Sequence, residues 1–291
     1  MDWSRGYSAR WRVHRVDPGT WADSKELSGV VSAKIERQAS AGLLESGSLA
    51  VDGDAFEEGY YRISMEAVQD GASKRVDVAT LLCSSASGTL DRGLRRLDVE
   101  GSSVLQPAAD VLAASGSYVP AGEDAVAWAA DSLSSCLAAP VSSEGSFTLA
   151  SNRVVSVGAS VLDAVWDVLS VGGYVIRIDG AGSVKIAPMP TAPALVLDHD
   201  GAALLHPGVS STSDWSGVPN RYTAVEGGRS AVAVNDDPAS PTSTVSRGRF
   251  VDVVDSSPDR IGGESLEAYA QRRLAESSTV PWTVRFCADR L

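Results

Sequence analysis

The chain is poor in the residues that most often carry chemistry. Its 291 residues include 3 cysteines, 3 histidines and 3 methionines. Cys83, Cys136 and Cys287 are odd in number, lie far apart and form no C-x-x-C pair. That pattern excludes the usual zinc and dithiol motifs and points to free thiols in a reducing compartment. Long apolar runs are missing too. No segment reaches the roughly 18 uninterrupted apolar residues of a membrane-spanning helix. The N-terminus, MDWSRGYSARWRV, lacks the apolar core of a secretory signal, so exit from a cell would be by lysis or inside an assembly. Aromatics make up only 6%, whereas glycine and serine are abundant, a balance that suits a β-rich protein with many turns.

A positive balance is also absent. The formal net charge of −12 argues against a surface that grips nucleic acid, though not against one that nucleic acid slides past. The charge is uneven. Residues 45–70 hold seven acids (Glu45, Asp52, Asp54, Glu57, Glu58, Glu66, Asp70) against Arg62 alone, and residues 1–16 hold Arg5, Arg10, Arg12 and Arg15 against Asp2. Such runs read first as solvated faces. With 44% hydrophobic residues the chain can bury real cores, and its length suits about two domains or three small ones.

Periodicity divides the chain. Strand-like alternation marks residues 11–16, 31–36 and 61–67; Val76 to Leu82 is a mostly apolar run, and Leu94, Leu97 and Val99 lie in a further extended segment. Short half-buried strands at this spacing predict a small barrel or sandwich. Near Ser102 the pattern changes. Ser102-Ser103 is read as capping a helix to about Ala114 that Gly116 ends, and a second helix is read over 122–137. Phe147 and Leu149 suggest a short strand. The clearest local signal follows: Ser160 and Asp163 form a capping-box variant, with Leu162, Val165, Trp166 and Leu169 as the apolar stripe and Gly172-Gly173 as the stop. Tyr174–Ile178 and Val184–Ile186 then pair as a hairpin through Asp179-Gly180-Ala181-Gly182. Gly180-x-Gly182 sits between two strands and opens no helix, which excludes a dinucleotide fingerprint. After Pro188, Pro190 and Pro193, strands return at 221–226 and 249–254 with a polar loop at 235–241. A helix is read over 264–276, and a last strand over 282–286 has no obvious partner after it.

Candidate chemistry is thin. Asp198-His199-Asp200 with His206 is the one cluster resembling a metal or acid–base site. Neighbours on a strand point to opposite faces, so a polar turn is the better account. Asp52-Gly53-Asp54 lacks the rest of a calcium loop. His14 lies between arginines with no nucleophile assignable to it. Glu57-Glu58 reads as a solvated pair of acids rather than a glycosidase dyad. Trp11, Trp166 and Trp282 fall at apolar periodic positions and are assigned to cores. No catalytic residue, metal ligand or cofactor site emerges, and the chain is read as no enzyme.

The wording along the chain resembles the tail hub proteins of tailed phages and prophages. The matching segments are Trp11-Arg12-Val13 through Val16-Asp17-Pro18-x-Thr20-Trp21-Ala22-Asp23, Leu44-Glu45-Ser46-Gly47, Tyr60-Tyr61-Arg62-Ile63 and Gly145-Ser146-Phe147-Thr148-Leu149. They continue with the helix and hairpin at 160–187, Val218-Pro219-Asn220-Arg221-Tyr222, Thr242-Ser243-Thr244, Arg247-Gly248-Arg249 and the helix after Gly263-Glu264. None carries chemistry, and their order is what matches. The resemblance implies an α+β, mainly β fold: a first β-barrel over 1–100, an inserted α/β module over 101–193, and a second barrel with a helix over 194–291, left unfinished after Phe286-Cys287. It further implies a homotrimeric ring at the tail tip or baseplate. That ring would join the tail tube or distal tail protein to a spike, fibre or hydrolase-bearing protein and continue the DNA channel without specific DNA binding or membrane insertion. Such a protein is made in the host cytoplasm and resides in the virion tail. Two expectations go with this: part of the acidic 45–70 segment lines the channel or a seam, and Arg10 and Arg12 meet an acidic face of a neighbouring subunit. The alternatives are a carbohydrate-binding or wall-degrading tail component, and the hub of a contractile injection or secretion system.

Overall fold

The computed structural model describes residues 6–39, 42–53, 56–91, 94–114, 116–190 and 210–285. The described chain is mainly β. It divides into two compact units: the first ends at Met189, apart from Leu149–Ser151, which belongs with the second.

The first unit begins with a seven-stranded antiparallel sheet. Its strands are β1 (Ser8–Val16), β2 (Asp23–Glu26), β3 (Val30–Arg37), β4 (Glu45–Asp52), β5 (Gly59–Gln69), β6 (Ala72–Asp91) and β7 (Leu94–Ser103), in the order β2-β1-β5-β6-β7-β4-β3. β6 runs for 20 residues and serves both halves of the sheet. Its first part pairs with β5 as far as Gly59↔Cys83, and its second part pairs with β7 from Leu81↔Ser103 onward. Irregularities at Ile63/Ser64 and Cys83/Ser85 interrupt the ladders where bulges increase bend and twist. Alternation then turns Val13, Leu49, Ile63, Leu81, Leu97 and Val99 into one core.

No closed barrel forms among the described residues, in contrast to the barrel predicted for this region. The end strands β2 and β3 follow one another in sequence but share no ladder. β2 covers only His14–Val16 of β1, so the rest of β1 faces the far side of β3 across an opening of about 710 Å3. Trp11 lines that opening and is 59% exposed, which corrects its assignment to a core: the strand that would bury it stops short.

The α/β module follows. It contains α1 (Gln106–Asp110), β8 (Tyr118–Val119), α2 (Ala125–Cys136), β9 (Val141–Ser143), β10 (Arg153–Val154), α3 (Val161–Val171), β11 (Tyr174–Ile178) and β12 (Val184–Pro188). Ser103 closes β7 instead of capping a helix. Its hydroxyl accepts from the Leu105 amide, and the helix is one short turn that starts only at Gln106, because Val104 and Leu105 are buried beneath it. Phe147 and Leu149 form no strand; only the isolated bridges Asp124↔Thr148 and Leu149↔Ile261 occur there. α3 matches its signal. Ser160 Oγ accepts from the Asp163 amide at 3.0 Å and the Asp163 carboxylate accepts from the Ser160 amide at 3.1 Å. Gly173 takes φ of +69°, the left-handed turn that stops the helix. β11 and β12 form the predicted hairpin, and β9 joins β12 in parallel. Leu133, Leu162, Val165, Leu169, Ile176 and Ile186 fill the core between helices and sheet.

In the second unit β13 (Ser210–Ser213) pairs with β17 (Trp282–Arg285), so the last strand has a partner that precedes it. β14 (Arg221–Glu226) lies between β15 (Arg229–Val234) and β16 (Asp252–Asp255). α4 (Thr244–Arg247) is one turn, and α5 (Leu266–Ser277) packs Leu266, Tyr269, Ala270 and Leu274 on Tyr222, Ala224, Ala231 and Ala233. Gly227-Gly228, both at positive φ, make the tight β14–β15 turn.

Replacing Ser160 with alanine leaves the Asp163 amide without its cap. The expected loss is about 1 kcal/mol, read as a lower urea midpoint; an unchanged midpoint would show that α3 does not depend on its box.

Candidate functional site

The sequence candidates do not converge. Asp198, His199, Asp200, His206, Asp54 and Cys287 lie outside the described residues, as does the Trp282 side chain. Asp52 is exposed and pairs with Arg96 at 3.0 Å. His14 lies on β1 with Nδ1 3.9 Å from Asp23, whose carboxylate is already held by Arg62 at 2.8 Å and Arg75 at 2.6 Å. Glu57 is taken by Arg15, and Glu58 offers that arginine its backbone carbonyl. Among the described residues no group of three His, Cys, Asp or Glu side chains could hold a metal ion. Cys83 is fully buried, and burial pushes its thiol up to about 12. A thiol of that kind is a small core residue rather than a nucleophile. Trp166 packs on the α/β core and donates Nε1–H to the Gly42 carbonyl at 2.9 Å.

The best-built polar cluster in the first unit is one the sequence concealed. Arg62, on β5, is 7% exposed. Its guanidinium donates to Asp23 at 2.8 Å, to Thr80 Oγ1 at 3.3 Å, and to the carbonyls of Trp21 at 3.2 Å and Ala181 at 3.0 Å. The Trp21 indole donates to the same Ala181 carbonyl at 2.9 Å, and Thr80 donates to the Gly180 carbonyl at 3.1 Å. The β11–β12 turn thus docks on the sheet through its backbone. Its glycines are required for that approach. A Cβ on Gly180 would lie 1.8 Å from the Asp77 carbonyl oxygen, and one on Gly182, where φ is +78°, would lie 2.7 Å from Thr80 Cβ. A lone arginine in an alternating strand, together with a Gly-x-Gly turn, was the available signal.

Beside this cluster, Glu45 starts β4 almost fully buried. Oε2 meets Arg37 at 3.2 Å and Oε1 has no hydrogen-bond partner. Burial raises its pKa above the ordinary value; Arg37 opposes that shift and Asp179 adds to it. The acidic 45–70 segment is consequently not a free acidic face. Besides Glu45 and Asp52, Glu57 pairs with Arg15 and Glu66 with Arg12 at 3.2 Å. Arg12 also reaches Glu26 at 3.0 Å, so two of the N-terminal arginines find their acids within the chain.

No protein-family model matches the chain, and no curated protein sequence matches it. Solved structures do. A tail protein from Neisseria meningitidis MC58 aligns at TM-score 0.58 and 14% identity over 94% of this chain and 76% of its own. The 43 kDa tail protein of prophage MuSo2 from Shewanella oneidensis aligns at TM-score 0.60 and 14% identity over 93% and 78%. Prophage tail protein gp18 from Listeria monocytogenes EGD-e aligns at TM-score 0.55 and 10% identity over 94% and 79%. The chain has the fold of phage and prophage tail proteins.

Two outcomes test the cluster and its neighbour. Arg62→Met leaves Arg75 on Asp23 and the Trp21 indole on the Ala181 carbonyl, but removes the bonds to Thr80 and to the Trp21 carbonyl, and is expected to cost roughly 1–3 kcal/mol in denaturant unfolding; a loss within error would reduce the cluster to decoration. Because the folded pKa of Glu45 is raised, its contribution is fully present below the unfolded value near 4.5 and is lost as pH rises through the folded one. Glu45→Gln should therefore gain stability over the parent on going from acid to neutral pH. A difference independent of pH would contradict the burial effect.

Proposed function

We propose that the chain is a structural, non-enzymatic component of a phage or prophage tail, and that it acts as a hub ring at the tail tip or baseplate. The observation that carries this reading is the likeness to three tail proteins over 93–94% of the chain. The described side chains are consistent with it. The candidate catalytic groups within the described residues are dispersed or held in ion pairs, and the best-built polar cluster binds protein backbone.

In this reading the chain has three parts, over 1–100, 101–193 and 194–291, and three copies close into a ring. One face of the ring meets the tail tube or distal tail protein, and the other meets a spike, fibre or hydrolase-bearing protein. DNA passes through without specific binding. Phosphates are repelled over roughly a Debye length of 8 Å, so only acids on the channel wall matter; those already paired with arginine contribute little. The protein is made in the host cytoplasm and resides in the virion tail.

One observation favours a second reading, a carbohydrate-binding tail component: Trp11 and Trp215 are 59% and 44% exposed. Pull-down on purified cell walls, with Trp11→Ala and Trp215→Ala as controls, separates the two. Electron microscopy of the particles tests the hub directly. The expected result is density for this chain as a threefold ring at the tail tip; tails that lack the chain, or hold it as an isolated copy on a fibre, would refute the reading.

A further inference from the structure

We propose that the opening between β1 and β3 receives an extended segment of another protein, an inserted strand whose inward side chains are apolar and whose outward side chains include an acid. The inference goes beyond the ring reading. It names a partner chemistry for the first unit and stands whether or not copies form a ring.

The opening is built into the fold. β2 and β3 are consecutive, and from His14↔Glu26 the chain is aligned to run on along β1. It turns away instead. The Leu27 amide still donates to the Val13 carbonyl at 2.8 Å, but Gly29 takes φ of +77° and its carbonyl accepts from the Asp52 amide at 2.8 Å. A Cβ on Gly29 would lie 2.3 Å from the Asp52 carbonyl oxygen, so this contact with the end of β4 needs glycine. From Val30 onward β3 is held by its ladder with β4. One stretch is pinned to β1 and the next to β4. The gap of about 710 Å3 between them closes only if one of those ladders breaks.

Its rims are unpaired backbone. The Val13 carbonyl points to the β2 side of β1, and the strand period of two puts the backbone groups of Trp11 and Ala9 on that side as well, where no described strand meets them. β3 pairs only with β4. The floor is apolar. Val13 and Ile63 belong to the buried core, and Trp11 lies on the same face of β1 as Val13. Ala33 stands opposite the core residue Leu49. Trp11 and Val31 are 59% and 51% exposed, so the large side chains beside this floor have no cover. A strand laid between the rims meets backbone on both sides and buries alternate side chains on the floor, which are the two components of recognition by strand addition. β1 and β3 are separated by five antiparallel steps and run oppositely, so the guest is antiparallel to one rim and parallel to the other. An acyl chain or a sugar ring satisfies the floor but neither rim.

Charge sets the outer face of the guest. Arg10 and Arg12 alternate with Trp11 and lie on the outer face of β1. Arg12 is taken by Glu26 and Glu66. On β3, Lys34 is paired with Glu36, and residues 30–33 carry no charge. Arg10 lines the opening, is exposed, and has no ion-pair partner among the described residues. The rim therefore holds one unmatched cation, and an acid on the neighbouring strand of the guest supplies its cross-strand partner.

Fluorescence anisotropy with end-blocked, dye-labelled probes tests the proposal. One probe is a peptide of about seven residues, the length of a short strand, that alternates valine and glutamate; the other alternates valine and lysine. The valine–glutamate peptide should bind saturably with Kd below about 1 mM, and the valine–lysine peptide at least about tenfold more weakly. Arg10→Glu should reverse that preference. Ala33→Trp, which fills the floor, should abolish binding of both, and each variant should keep the parent's melting temperature. No saturable binding up to that concentration, or binding indifferent to Arg10→Glu, overturns the proposal. So does sedimentation in which the parent self-associates and Ala33→Trp abolishes the association, because the opening would then hold a second copy. None of these outcomes bears on the presence of the chain in tails, which microscopy of the particles decides.

Discussion

Arg62 and the backbone of the β11–β12 turn hold the first unit together. A guanidinium has five N–H donors and cannot shed its charge, so burying it is tolerable only if nearly every donor is met. Here β2 supplies a carboxylate, β6 a hydroxyl, the β1–β2 connection a carbonyl and the α/β hairpin another. Four separate stretches of chain must be in place before that charge is satisfied. The turn also has a steric role. β7 reaches back along β6 only to Leu81, and the Gly180 backbone occupies the side of β6 near Asp77 that β7 leaves uncovered. The sheet is therefore divided between two partners along one long strand. That division gives β6 a covered first part and an edge with no described neighbour beyond Cys83.

Electrostatics follows the same logic of internal use. A net charge of −12 suggests broad acidic faces, yet much of the most acidic stretch is matched to arginines from β1, β3 and β7. Exposed pairs of this kind contribute little stability each. Their stronger effect is on the surface field, because a paired acid presents little charge to a passing polyanion or to another copy.

How far the sequence disclosed this structure depended on how local each cause was. The α3 capping box, the β11–β12 hairpin and α5 were legible because their determinants lie within a few residues of one another. β4 was not, since its inward face reads Glu45, Gly47, Leu49 and Val51, with only the last two strongly apolar, and the buried acid at its start masked the period of two. β15 was missed although Gly227-Gly228 and the alternating Ser230–Val234 announce a hairpin. Trp11 was misplaced because its burial depends on whether a strand arrives beside β1, which no local pattern encodes. Gly180-x-Gly182 was recognised as lacking a nucleotide-binding context, but the reason for its glycines lies about 100 residues away, at Asp77 and Thr80. The candidate site was therefore the least legible part: its members are ordinary residues whose importance comes from meeting.

The segment Val218-Pro219-Asn220-Arg221-Tyr222 shows the same principle in the second unit. Asn220 is fully buried; its amide donates to the Arg249 carbonyl at 2.9 Å and its side-chain oxygen accepts from the Val251 amide at 2.8 Å. Arg221 grips Asp252 with two donors, and Tyr222 shares the Asp255 carboxylate with Tyr269 of α5. Three successive side chains thus fix the parallel pairing of β14 with β16, a contact that no hairpin turn could set because the strands run in the same direction. In both units buried or half-buried polar side chains, Arg62 in the first and Asn220, Arg221 and Tyr222 in the second, set the register between segments distant in sequence.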